Sequence, residues 1–546
     1  MPNTARGTYV IVFKMLLAAG FALAGLGVLG GGSENPGAAT LPTDDKAIVH
    51  VLNRIGFGPR AGDPGDVARV KAIGLQRYIE EQLHPERIPD AAMSARLSGL
   101  TTLGMSSREI ATTYEIPQLE ARRAKKQEAA QTSAPEMVKP PTMADPLQQK
   151  ANRVIVELGE QKMLRAVYSD RQLQEVLTDF WFNHFNVDAR KGPARYLLTE
   201  YERDVIRPHV LGKFRDLLEA TAKSPAMLFY LDNWMSADPE GPHMAMPMRR
   251  MGRGAFGGRV MMPPAPRPNV QNKKAPKGLN ENYGRELMEL HTLGVDGGYT
   301  QKDVTEVARA LTGWTIQNPR QGGSFRFEPR IHDEGQKIVL GHVIKAGGGQ
   351  DDGAQVLDIL AKHPSTARFI ATKLVRRFVS DTPPPGLVDR AASRFRETDG
   401  DLRDVTRTIL TSPEFLSPDV YRAKVKTPFE FVASALRATG AEVQDAMPLV
   451  RTMQQLGMPL YMCQPPTGYK DTAEAWVNTG ALVNRMNFSL NLAGNKLRGI
   501  TVSDLATVKT ILGDDVSETT RNTVAKATSG AQVAALTLGA PEFQRR

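Results

Sequence analysis

Apolar residues recur along most of the chain at intervals of three and four, the spacing of an amphipathic helix. Three capping boxes predict helix starts at Ser169–Gln172, Thr300–Asp303 and Thr427–Glu430. Strand signals are few, but Ser324–Phe327 and Ile338–Ile344 flank a polar turn and predict a hairpin. Because strands and helices do not alternate, a parallel sheet is not expected. The pattern predicts a mainly α fold, a large multi-helix domain with one or two short β-hairpins.

The N-terminal segment has a different pattern. Arg6 and Lys14 precede an uncharged apolar run, an order typical of a secretory signal. The run is also about long enough for an uncleaved anchor if Val10–Phe13 joins it. We therefore expect residues 1–32 to be a signal peptide or N-terminal anchor and residues 33–44 a linker. This predicts an exported protein of the periplasm or cell envelope that contacts the membrane only through its N-terminal segment.

Two segments interrupt residues 45–546, which are otherwise predicted to form a single large helical domain. Residues 121–146 are rich in Lys, Arg, Gln, Ala and Pro, which indicates a helix end running into a mobile linker. Residues 236–278 contain eight Pro, six Gly and six Met, a composition unsuited to a regular element. We expect this second segment to be a disordered insertion rich in Met, Arg, Gly and Pro.

The composition is that of an ordinary soluble protein, with 41% hydrophobic and 23% charged residues. The formal net charge is +10, but residues 236–278 have eight Lys and Arg against two acidic residues. Six of the ten net charges therefore lie in that segment. Because no aromatic-interleaved basic stripe or zinc-finger spacing is present, specific nucleic-acid binding is not expected. The single Cys463 excludes an intramolecular disulfide and a CxxC site.

Ionisable side chains on apolar helix faces are the first candidates for chemistry. Glu286 falls in the apolar stripe of a helix predicted over residues 282–293, and Glu289 lies at the border of that stripe. A buried carboxylate needs a partner or loses its charge, so Glu286 is either a salt-bridge partner of an Arg from another helix or a metal ligand or general base. His291 points away from Glu286 and is expected at the surface or at the helix end.

Two histidines in other motifs have similar alternatives. On a helix, His184 falls beside Phe180 and Trp181. It is either a core residue with its hydrogen bonds satisfied or a group for metal binding or proton transfer. His332 and Asp333 open a polar loop between the two weak strands. That loop is either a functional site or a turn in which Asp333 bonds its own backbone.

These residues could together form a metal centre if the fold brings them close. Glu286, Glu289, His184 and His332 would supply nitrogen and oxygen ligands suited to a divalent metal, Zn, Fe or Mn. Glu286 and Asp333 are the candidates for catalysis, and a bound metal would activate water. Sequence spacing alone does not show that the side chains meet.

The Met-rich part of the insertion offers a second type of metal site. His243, Met244, Met246 and Met248 place imidazole and thioether groups at short spacing, and thioethers suit Cu(I). The alternative is a spacer in which Met merely accumulates. Copper binding by this loop is thus a third hypothesis.

Several long motifs resemble a known bacterial family. They read HVLNRIGFGPRAGD, FWFNHFNV, NENYGRELMELHTLGVDGGYTQKDVTEVARALTGWT, HDEGQKIVLG, HPSTARFIATKLVRRFV, TDGDLRDVTRTILTSPEF and PPTGYKDTAEAWVNTGALVNRMNF. From about Asp45 to the C-terminus the chain resembles the family called domain of unknown function 1800. The resemblance implies a large, mostly helical, often exported protein, but no established activity and no catalytic residues. Members are often encoded beside a second secreted family of unknown function, numbered 1501, which suggests such a protein as a partner.

These observations give two main expectations of function. The first is a binding or assembly protein of the cell envelope that holds a secreted partner or an anionic envelope polymer. The basic segment 236–278 would then supply electrostatic attraction that salt screens. The alternative is an exported metal-dependent hydrolase that uses the Glu and His candidates.

Overall fold

The computed structural model describes residues 44–131, 146–241, 278–503 and 515–546, apart from residues 63 and 320, together with residues 505, 508 and 512. These described residues group into one compact unit by their contacts. The predicted signal or anchor and most of both predicted interruptions lie outside the described residues. In the ranges that are described, every helix is too short or too polar to cross a bilayer.

Helices dominate the described chain, as the apolar spacing predicts. The first half contains α1 (Asp45–Arg54), α2 (Asp66–Ile73), α3 (Leu75–Gln82), α4 (Ala91–Leu97), α5 (Ser107–Ile110), α6 (Ile116–Gln131), α7 (Pro146–Tyr168), α8 (Gln172–His184), α9 (Ala194–Glu200), α10 (Phe214–Ala222) and α11 (Pro225–Tyr230). The second half contains α12 (Glu281–Glu289), α13 (Gln301–Ala310), α14 (Asp351–Lys362), α15 (Pro364–Phe378), α16 (Pro385–Glu397), α17 (Leu402–Leu410), α18 (Pro428–Ala438), α19 (Met447–Gln455), α20 (Thr479–Ala493), α21 (Glu518–Ala525), α22 (Gly530–Gly539) and α23 (Pro541–Gln544). Two π-helical segments, Ala111–Glu115 and Tyr201–Ile206, extend α5 and α9.

The strands are short and form antiparallel pairs. They are β1 (Trp314–Ile316) with β2 (Phe325–Phe327), β3 (Lys337–Val339) with β4 (His342–Ile344), and β5 (Glu442–Val443) with β6 (Ile500–Thr501). The hairpin predicted between Ser324–Phe327 and Ile338–Ile344 is therefore wrong. Leu340 and Gly341 both have positive φ, the conformation of a two-residue hairpin turn, so residues 337–344 fold onto themselves.

Two of the three predicted capping boxes form. Thr300 and Thr427 each accept from the backbone N–H three residues on, and the acidic side chain at that position returns the bond. The box at Ser169 does not form, because α8 begins only at Gln172. The Gln172 amide instead donates to the carbonyls of Ala166 and Ser169.

The core that positions the site is built around α18. All eleven of its residues are buried, including two that carry charge, Glu430 and Arg437. Buried charges require partners, and both residues have them. Arg437 donates to the carbonyls of Gly58 and Val167, while Glu430 faces α15.

Candidate functional site

A cavity of about 310 Å³ lies between α8, α15 and the segment 467–474. This volume is near the lower end of small-molecule sites in proteins, about 300 Å³. We call it the α15 pocket. Its charged lining residues are Lys373, Arg376, Arg377 and Lys470 on the basic side and Asp179, Asp471 and Glu474 on the acidic side.

Two asparagines of the FWFNHFNV motif fix the loop that closes the pocket. The Asn183 amide donates to the Tyr469 carbonyl at 2.8 Å and accepts from the Tyr469 N–H at 2.7 Å. Asn186, just after α8, donates to the carbonyls of Cys463 and Pro465, each at 2.9 Å. The polar side of this motif therefore binds the PPTGYK segment, which joins two sequence motifs in one wall.

Gly468 makes this close approach possible. Its φ is +73°, and a Cβ at this position would lie 2.2 Å from the backbone oxygen of Asn183. No larger residue fits here without moving the loop or α8.

Lys373 and His184 meet at the inner end of the pocket. The Lys373 ammonium donates to Nδ1 of His184 at 2.8 Å. His184 Nε2 lies 3.1 Å from the His291 carbonyl, which can only accept, so this nitrogen carries the ring proton. Burial and then the charge of Lys373 hold the pKa of His184 well below its usual value, and the ring is neutral.

The environment of Lys373 disfavours its positive charge. Burial, followed by the neighbouring Arg376, lowers the pKa of Lys373 to about 8, while Asp471 acts in the opposite direction. Lys373 forms no ion pair with any residue that the structure describes. Its nearest strong contact is the neutral His184 ring, which accepts from an amine as well as from an ammonium group.

Arg377 and Glu430 form the floor beneath the pocket. Their side chains are 5% and 3% exposed, and Arg377 Nη1 donates to Glu430 Oε1. Arg546 Nε lies 3.1 Å from the same oxygen. Burial alone would raise the pKa of Glu430, but Arg377 and Arg546 lower it to about 2. Glu430 is therefore a carboxylate held between two guanidinium groups.

The positive charges of the pocket exceed the negative charges available to them. The three acidic lining residues already have cationic partners: Asp179 with Lys162 at 2.6 Å, Asp471 with Lys424 and Arg546 at 3.6 Å each, and Glu474 with Lys470 at 3.6 Å. Nε and Nη2 of Arg377, Nε of Arg376 and Oδ2 of Asp471 are all buried without a hydrogen-bond partner among the described residues. Lys373 and Arg376 line the pocket without an ion pair among the described residues, and this surplus of positive charge favours an acidic ligand.

Glu286 and Glu289 lie on α12, and among the described residues neither forms a hydrogen bond with a basic side chain. Glu286 is half-buried, and burial followed by the charge of Glu289 raises its pKa, with Arg285 opposing. Glu289 accepts from the Tyr299 hydroxyl at 2.8 Å. The salt bridge from Glu286 to an Arg of another helix does not form among the described residues.

His332 and Asp333 belong to a sealed polar cluster. His332 is fully buried, with Nδ1 donating to the Thr312 carbonyl at 2.8 Å and Nε2 lying 3.2 Å from Asp352 Oδ2. Asp333 accepts from Arg309 at 2.7 and 3.0 Å and from the Gly335 N–H at 2.8 Å. Burial would raise the pKa of Asp333, but these hydrogen bonds lower it. The backbone-bonded turn foreseen for Asp333 is present.

The structure joins some of the metal candidates to other partners. His184 bonds Lys373, and His332 bonds Thr312 and faces Asp352. Over the described ranges, no three His, Cys, Asp or Glu side chains are arranged to hold a metal ion. The divalent-metal site therefore stays a prediction. The copper candidates, His243, Met244, Met246 and Met248, lie outside the described residues.

His291 lies just beyond the end of α12, one of its two expected placements, and it is buried instead of exposed. Its ring is 5.1 Å from the ring of Phe185 and 6.2 Å from that of His184. The reason is that α12 ends at Glu289, so residues 290–293 turn inward instead of continuing the helix.

Sequence reasoning missed the basic residues of α15, although a signal for one of them exists. Arg377 follows Ile370 by seven positions and Leu374 by three, so it falls on the buried face of the helix. Arg377 thus has the same sequence signal as Glu286, an ionisable residue on an apolar helix face. Lys373 lies at the border of that face and has no comparable signal.

Comparison with curated proteins and with solved structures gives no match. A family model described as a protein of unknown function, DUF1800, matches residues 50–545, which include every residue of the α15 pocket. The chain therefore belongs to the DUF1800 family.

Proposed function

We propose that the protein is an exported binding protein of the cell envelope whose α15 pocket holds an acidic group. The group would be a carboxylate or phosphate of an anionic envelope polymer or of a secreted partner, such as a protein of the family of unknown function 1501. The observation that carries the proposal is that Lys373 and Arg376 line the pocket and neither forms an ion pair with any residue that the structure describes.

The energetic reason is the cost of a charge that is partly buried without a partner of opposite sign. Arginine presents its donors in a planar fork that matches carboxylate and phosphate oxygens. An acidic ligand beside Arg376 would offset the surplus positive charge of the pocket.

The size of the pocket limits what enters it. A cavity of about 310 Å³ suits one acidic unit or a side chain, while the rest of a polymer or partner would stay outside. The basic segment 236–278 would add long-range attraction for the same anions, because its net charge is +6. Binding through both features would weaken as salt rises.

The test is titration calorimetry of the full chain with inorganic phosphate and with glucuronate. Arg376→Gln removes a charge at the pocket, and we expect it to weaken binding at least about tenfold, or about 1.4 kcal/mol. Arg368→Gln is the matched control, since Arg368 lies on the same helix in an exposed pair with Asp389. Equal affinity of the two variants, or no binding of either anion to the unmodified protein, would refute the proposal.

A further inference from the structure

We propose that Lys373 acts as an uncharged amine that condenses with the carbonyl group of an acidic ligand in the α15 pocket. The ligand class is an aldehyde or keto acid, with its acid group held by Arg376 and Arg377. The inference rests on the proposed anion binding for the position of the ligand, but the reactivity of the amine is a separate property.

The first argument is the hydrogen bond from Lys373 to His184. His184 donates its own proton to the His291 carbonyl, so Nδ1 must accept and cannot repel an amine N–H. A neutral acceptor does not favour the ammonium form in the way a carboxylate would. An uncharged Lys373 keeps this bond with one N–H and leaves its lone pair free, and the half-buried side chain lines the cavity.

The second argument is the surrounding charge. The charged and titratable groups nearest to Lys373 come from each element around the pocket: His184 and Asp179 from α8, His291 after α12, Arg376 and Arg377 from α15, and Lys470, Asp471 and Glu474 from the loop. Burial and Arg376 lower the pKa of Lys373 to about 8, against the opposing charge of Asp471. The ring of Phe369, 5.5 Å from Nζ, also favours the charged form. About a tenth of the amine is then neutral at about pH 7.

The chemical step needs no oxidant or reductant. The Lys373 lone pair attacks the carbonyl carbon, the C–N bond forms, and the carbonyl oxygen takes up the proton that the nitrogen loses. The resulting carbinolamine loses its hydroxyl together with the second N–H proton as water, which leaves an imine. The arginines hold the acid group and orient the carbonyl, while His184 is a positioning residue for the amine.

The experiment uses the full chain with glyoxylate and cyanoborohydride, which reduces an imine to a stable secondary amine. Peptide mass spectrometry then compares Lys373 with Lys470, a lysine of the same pocket that is 73% exposed. We expect Lys373 to be modified at least about tenfold faster at about pH 7.5, with a rate that levels off above about pH 8. Equal rates at the two lysines, or a Lys373 rate that keeps rising through alkaline pH, would overturn the inference.

Glycolaldehyde, which lacks an acid group, separates this inference from the proposed function. If both aldehydes modify Lys373 quickly and to the same extent, the result supports a reactive Lys373 amine and refutes anion binding by the pocket. If neither aldehyde modifies Lys373 while phosphate binding still depends on Arg376, only the reactivity of Lys373 is refuted. Lys373→Arg lacks a reactive amine, so we expect this variant to lose the selective label.

Discussion

Glu430 is the buried carboxylate on which the floor of the α15 pocket depends, and replacing it tests the electrostatic account of the fold. Glu430→Gln keeps the size of the side chain but leaves Arg377 and Arg546 facing each other without their shared negative charge. The pKa of Glu430 falls from 4.5 to about 2 on folding, which corresponds to about 3 kcal/mol at neutral pH. Removal of one partner from a buried pair elsewhere costs about 3–5 kcal/mol, a similar size.

The dependence of this effect on pH has a definite direction. Because folding lowers the pKa of Glu430, its stabilising contribution is complete above the unfolded pKa of 4.5 and is lost as pH falls towards 2. The unmodified protein and Glu430→Gln should therefore differ most at neutral pH and converge in acid. About half of the difference should remain at about pH 3.

Urea denaturation followed by circular dichroism measures both effects. Asp389→Asn is the control, because Asp389 and Arg368 form an ion pair whose side chains are 60% and 61% exposed. Exposed pairs contribute at most about 1 kcal/mol, so this variant should lose little stability. If Glu430→Gln lost no more free energy of unfolding than the control at neutral pH, or if that loss persisted in acid, Glu430 would not stabilise the fold through its charge.

Two further predictions concern the loop wall and the metal hypothesis. Gly468→Ala should destabilise the protein and weaken phosphate binding, because the added Cβ would strike a backbone oxygen of α8. Gly457→Ala is the control for backbone strain in the same measurements, since Gly457 has φ +82° and open space around it. Both ring nitrogens of His184 and His332 have polar contacts, so elemental analysis should find no stoichiometric Zn, Fe or Mn. A stoichiometric metal that Glu286→Gln removes would instead support the hydrolase.

The parts of the fold that the sequence predicts correctly are those determined by local interactions. The capping boxes at Thr300 and Thr427 complete themselves within four residues, so their helices begin where the pattern places them. The Ser169 box does not form because α8 begins only at Gln172, and the Ser169 hydroxyl accepts from the Arg171 N–H while it donates to Asp90. The sequence predicts the strand Ser324–Phe327 but not its partner Trp314–Ile316, because strand pairing depends on the turn between the two strands and on burial.

The same limit explains which site residues could be found. An ionisable residue on an apolar helix face can be recognised from spacing, and His184 and Glu286 were both recognised in this way. Spacing does not identify the partner, and the partner determines the chemistry. His184 contacts Lys373, which is 189 positions away in the chain. Glu286 meets no such partner among the described residues, and its raised pKa follows from burial and Glu289 alone. Two residues with equal sequence signals thus differ in their surroundings, because only His184 lines the cationic pocket.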